Sequence, residues 1–153
     1  MAAIRMKTSV KLRAEAQCPS HSRADIRIRD VAFAIDEPVE RGGTNAGPTP
    51  TDAALAALVG CTNVIGHKCA QALGIEIGHL RIGATCDFDR RGVTLAEEIE
   101  RPFERIVLDV VADGPAGDAE LARVAAEVRK FCPLSKLFHA AGTEIVETWR
   151  RES

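Results

Sequence analysis

A long run of small and apolar residues, Asp52 to Leu73, follows a segment crowded with Gly and Pro. Chain that alternates apolar and polar residues flanks the pair on both sides, and this arrangement limits the possible folds more than any other feature. Within the run, Leu55, Leu58, Thr62, Ile65 and Cys69 recur at helical spacing, and Gly74 closes it. Ala53, Ala54, Ala56, Ala57 and Gly60 leave its first half with little bulk, so another helix or a sheet can approach closely. Its composition is apolar nearly all round, which predicts a central, buried helix over 51–73. Ahead of it, Gly42, Gly43, Gly47, Pro48 and Pro50 make 37–50 a loop. Thr49-Pro50-Thr51-Asp52 carries the signal of a helix start, with Pro near the first turn and an acid behind it.

The flanking segments read as strands. From about Ser9 to Ala16, Val10, Leu12, Ala14 and Ala16 oppose Lys11, Arg13 and Glu15, the period of a half-buried strand. Cys18 to Ser22 forms a turn, and Arg23 to Asp36 resumes the alternation, with Val31 to Ile35 continuing that strand or forming a third. An N-terminal hairpin region thus covers 8–36. Beyond the helix, Ile77 to Phe88 and Phe103 to Ala112 alternate as strands. Asp118 to Lys130 is an amphipathic helix broken at Pro133, Leu134 to Ala141 a short helix, and Thr143 to Trp149 a last strand, so 77–149 reads β-β-α-α-β. The whole order, β-β-α-β-β-α-α-β, is α+β rather than alternating α/β. At 153 residues the chain suits a single domain.

Composition removes several function classes. A net charge of −2 argues against a dedicated nucleic-acid binder. No apolar run approaches the roughly 18 residues of a membrane span, so no membrane partner is expected. The N-terminus has no apolar signal region, which points to the cytoplasm. The five cysteines, Cys18, Cys61, Cys69, Cys86 and Cys132, are an odd set that does not read as a disulfide framework in that compartment. Cys18-Pro19-Ser20-His21 has the gap of half a zinc site, with no matching second half. His67 and Cys69, two apart on a helix, face different directions. The Gly42 to Gly47 loop lacks the lysine of a phosphate-binding loop. Neither a metal nor a cofactor is implied.

Two cysteines stand in unusual settings. Cys61 lies mid-helix beside Gly60, which leaves its sulfur approachable. Cys132 precedes Pro133, a residue suited to the first position of a helix, so its sulfur occupies the cap. The orphan N–H groups and the positive end of the helix dipole, with Lys130 and Lys136 nearby, predict a lowered thiol pKa at Cys132.

These residues resemble a known family. Gly42-Gly43, Gly47-Pro48-Thr49-Pro50-Thr51-Asp52 and Leu55-Ala56-Ala57-Leu58-Val59-Gly60-Cys61-Thr62 look like the first signature of OsmC/Ohr proteins. Cys132-Pro133-Leu134-Ser135-Lys136-Leu137, followed by Gly142-Thr143-Glu144-Ile145, looks like the second. The matching elements run from about residue 8 to 149. The resemblance implies an α+β, OsmC-like fold: antiparallel sheets around a buried central helix, in an intertwined homodimer with active sites at the interface. It implies a thiol-dependent peroxidase that reduces organic hydroperoxides and, less well, hydrogen peroxide, and is itself reduced by a dithiol partner. Carried over by position, Cys61 is the peroxidatic thiol and Cys132 the resolving one. In the family, an arginine of the N-terminal hairpin, held by a glutamate at the start of the central helix, supports the reactive thiolate. Counting back from Cys61, that glutamate's place falls on Thr51, and the next residue, Asp52, is taken as the orienting acid. Arg13, Arg23, Arg27 and Arg29 are available in the hairpin, and Arg23 lies nearest its turn. The absent glutamate motivates an alternative from another class: a non-catalytic protein of this fold that binds an apolar or thiol-reactive small molecule at the dimer interface.

Overall fold

The computed structural model describes residues 7–153. Its elements are β1 (Glu15–Gln17), β2 (Ala24–Ile28), β3 (Val31–Ile35), a single 3-10 turn (Val39–Arg41), α1 (Pro50–Leu73), β4 (Leu80–Phe88), β5 (Phe103–Ala112), α2 (Asp118–Phe131), α3 (Pro133–Ala140) and β6 (Glu144–Arg151). The chain forms two compact units, one ending at Ala53 and one running from Ala54 to Ser153. The architecture is α+β.

In the first unit, β1, β2 and β3 form an antiparallel meander. Arg29 takes a positive φ of 58° at the β2–β3 turn, so Val31 to Ile35 is a third strand and not an extension of the second. The strand expected from Ser9 is regular only over Glu15–Gln17. The register explains this. Glu15 already pairs with Arg27, and β2 ends one residue on at Ile28 before the turn at Arg29, so the earlier residues have no strand left to pair with.

The loop after β3 is organised by one buried carboxylate. Asp36 accepts hydrogen bonds from the backbone N–H groups of Glu37, Thr44 and Ala46 and from the Thr44 hydroxyl. These donors favour the charged form and hold its pKa near 2, below the ordinary 3.8. The folded pKa is the lower one, so the stabilisation is complete above about pH 4 and is lost as pH falls towards about 2. Asp36→Asn is expected to lower protection of the Thr44 and Ala46 amides at neutral pH and to remove its acid dependence in that window, read by hydrogen exchange. Gly47 completes the loop, since a Cβ there would collide with the Ala34 carbonyl.

In the second unit, β4 and β5 pair antiparallel, whereas β5 and β6 run parallel. The sheet is therefore mixed, where the resemblance implied antiparallel sheets throughout. The cause is the connection: α2 and α3 intervene between β5 and β6, and a helical crossover returns the chain in the same direction. Ile106, Leu108 and Val110 of β5 meet Leu121, Val124 and Val128 of α2 in the core. From α1, Leu58, Thr62, Gly66, Cys69 and Ala70 are buried, a single stripe at helical spacing. Burial all round α1 is thus not observed, and Val64 on another face is 52% exposed. Alanine makes the composition apolar without requiring burial on every side. The same composition brings an 18-residue window of α1 to a mean hydropathy of 1.2, at the level of a membrane-crossing helix by length and composition, contrary to the sequence reading. Here the apolar stripe packs into the core of the unit.

Candidate thiol site

Cys61 projects from α1, half-buried, one residue before the buried Thr62, whose hydroxyl donates to the Leu58 carbonyl at 2.8 Å. Cys132 joins α2 to α3. It closes α2 with an N–H to the Val128 carbonyl, and its own extended backbone (φ −71°, ψ 113°) with Pro133 behind it opens α3. Its sulfur accepts from the Ser135 N–H at 3.4 Å, so the cap is made as the sequence predicts.

The two cysteines lie 71 positions apart in sequence, yet their thiols are close enough to interact. Both are unpaired thiols in this structure. Cys132 is fully buried, and its pKa is pushed up to about 11. Burial is the main cause, and the nearby Cys61 thiol adds to it. The N–H groups of Ser135 and Leu134 act in the opposite direction and are outweighed. This corrects the expectation of a lowered value. The cap supplies the favourable field, but desolvation of the sulfur costs the thiolate more than that field returns. Burial also raises the pKa of Cys69 and of Cys86.

A carboxylate that the sequence reading passed over sits in the same unit. The Glu147 side chain on β6 is only 3% exposed and pairs with Arg129 of α2 at 3.3 Å. Burial pushes its carboxyl up, and Arg129 partly offsets this. Trp149, two residues on, has a buried indole N–H that faces Glu147 in a geometry too poor for a hydrogen bond. Acid–x–aromatic alternation in a strand was the available signal, but Glu147 reads as one more solvent-facing residue until burial is known.

The remaining expected site residues lie in the first unit. Arg23 donates to Asp25 at 2.8 Å, and that carboxylate raises its pKa. Asp25 was not singled out, although an Arg-x-Asp pair on a strand shares one face. Asp52 accepts from the Thr49 hydroxyl at 2.7 Å, while its N–H donates to the same oxygen, the arrangement of a helix-start residue. His67 sets its ring nitrogens 2.9 Å from the Asn63 carbonyl and 3.0 Å from the Gly78 carbonyl, which ties α1 to the turn before β4. No cluster of three metal-ligating side chains occurs among the described residues. Between α1 and α2 runs an apolar groove of about 310 Å³ floored by Ile65, Cys69 and Leu73, with Phe131 on its opposite wall.

The fold has counterparts among solved structures. An OsmC-like protein of Mycoplasma pneumoniae is similar with a TM-score of 0.79 at 19% identity, over 95% of this chain and 100% of the other. An organic hydroperoxide resistance protein of Elizabethkingia anophelis gives 0.71 at 16% identity, over 96% and 100% of the two chains. The organic hydroperoxide resistance protein OsmC of Legionella pneumophila gives 0.70 at 16%, over 94% and 99%. At such identities the likeness is one of fold. No curated protein matches the chain at a significant level. The model of the OsmC-like protein family matches residues 43–147, a stretch that contains the second half of the Gly-rich loop, α1 with Cys61, and the Cys132 junction. On that match, across more than half of its length, the chain belongs to the OsmC-like protein family.

Proposed function

We propose that this protein is a thiol-dependent hydroperoxide reductase in which Cys61 attacks the peroxide and Cys132 resolves the product. The observation that carries this reading is the meeting of these two thiols, one approachable on α1 and one buried at the α2–α3 junction. The Cys61 thiolate attacks the distal oxygen of ROOH and displaces RO⁻. An S–O bond forms as the O–O bond breaks, the sulfur loses two electrons to become a sulfenic acid, and RO⁻ takes up a proton and leaves as the alcohol. The Cys132 sulfur then gives up its proton and attacks the Cys61 sulfur. Hydroxide departs with that proton as water, and a disulfide remains. A dithiol reductant returns two electrons and two protons.

The proposed cation that supports Cys61 is Arg23, with Asp52 as the orienting acid; Arg23 itself donates to Asp25. Arg23→Ala is expected to slow the attack on cumene hydroperoxide by about 10–10²-fold while leaving disulfide closure unchanged, as for the loss of an electrostatic stabiliser. Stopped-flow measurement of the two phases checks it. A homodimer is part of the same proposal. It is supported by exposed apolar residues such as Val64 and Leu137, and light scattering should return twice the 16.4 kDa chain mass.

The deciding experiment is thiol titration with intact-mass analysis before and after one equivalent of cumene hydroperoxide. Wild type should lose two thiols and about two mass units, and Cys61→Ser neither. If wild type keeps all five thiols, the peroxidase reading falls. The binding-protein reading, which the apolar groove along Ile65, Cys69 and Leu73 favours, then takes its place.

A further inference from the structure

We propose that Glu147 and Trp149 form a strut on β6 that holds the two thiol-bearing segments in register, which makes them positioning residues for closure of the Cys61–Cys132 disulfide. This rests on the reading above only for its role in turnover, since the geometric claim stands by itself. Two residues apart on a strand, Glu147 and Trp149 share one face. Glu147 grips Arg129 in the last turn of α2, three residues before Cys132. Trp149 abuts α1 at Gly66, five residues after Cys61, where a Cβ would sit 3.0 Å from its Cη2 atom. One strand therefore touches both segments close to their sulfurs.

The residue types support the assignment. A carboxylate 3% exposed is costly to bury, and its partner Arg129 is 57% exposed, so the pair is a poor way to stabilise the fold. The buried indole N–H of Trp149 on the same face has no hydrogen-bond partner of good geometry. A bridge requires the two Cα atoms within about 7 Å and well-directed Cβ vectors. Such a requirement is sensitive to small displacements of α2 against α1, which a rigid contact from β6 to both would suppress.

The test uses Glu147→Gln and Arg129→Gln in the full chain. Arg129 is largely exposed, so its variant decides the matter even if Glu147→Gln folds poorly. Two quantities are read: the equilibrium of the Cys61–Cys132 disulfide against a glutathione buffer, and the rates of peroxide attack and closure. Each variant should weaken the disulfide and slow closure by about tenfold, with attack unchanged within about twofold, the pattern of lost positioning. Excess cumene hydroperoxide should then give more sulfinic acid, about 32 mass units heavier. Unchanged equilibrium and closure in both variants would overturn the strut, and so would attack slowed as much as closure, the mark of general destabilisation. Wild type inert to peroxide defeats the functional reading alone, because the glutathione equilibrium still decides the strut.

Discussion

Cys61→Ser is expected to lower hydroperoxide turnover by roughly 10³-fold or more, the scale seen when a nucleophile is removed. A serine hydroxyl is isosteric but is not ionised at neutral pH, so no other group takes over its role. The neighbouring cysteines are poor substitutes, because burial pushes Cys132 to about 11 and raises Cys69 as well. Cys132→Ser should behave differently. It should complete the attack at a near-normal rate, consume one equivalent of peroxide and stop, with Cys61 held as sulfenic acid that a dimedone-type reagent traps. A Cys132→Ser protein that turns over at the wild-type rate would remove Cys132 from the cycle. A Cys61→Ser protein that does so would remove the proposed mechanism.

The second large effect concerns stability. Leu58 is fully buried in α1, packed in the core of the second unit and one turn ahead of the thiol-bearing stretch. Leu58→Ala should cost about 2–5 kcal/mol, the sum of lost apolar transfer and the cavity left behind. For a chain of this size each kcal/mol shifts Tm by roughly 2–4 °C, so a fall of about 4–20 °C is expected by calorimetry. The small residues of α1 make the upper half of the range the sharper expectation. Alanines on this helix have no long side chains to swing into the void, and the backbone is fixed by Trp149 at Gly66. A shift below about 3 °C would mean that the helix collapses onto the sheet more freely than its packing suggests.

Much of this was legible in the sequence where the governing forces are local. Leu80 to Phe88 alternates in burial at every step, as its residues alternate in polarity. Pro133 placed the start of α3 and the cap at Cys132 correctly, because a proline at the first helical position acts on the residues beside it. What was lost depends on distant chain. The sign of the Cys132 shift turned on the burial of one sulfur among core residues from β5, α1 and α2, which no window of sequence contains. The parallel pairing of β6 was hidden for a related reason: alternation gives a strand its faces but not its direction. Glu147 looked like the polar half of such an alternation, and only tertiary packing turns it inward. Composition alone likewise does not say which apolar side chains of α1 join the core stripe of this chain and which lie at its surface.

The sulfur that caps α3 has one consequence outside turnover. A thiol that accepts from the Ser135 N–H caps the first turn of an eight-residue helix, though sulfur is a weak acceptor. Drawing that sulfur into a disulfide weakens it as an acceptor and turns it towards Cys61, so the oxidised protein loses part of the lock on α3. Oxidation chemistry at a single atom is thereby transmitted as fraying of a helix terminus. If the proposed disulfide forms, the Ser135 amide is expected to exchange with solvent faster in the oxidised protein than in the reduced one, which hydrogen exchange would read.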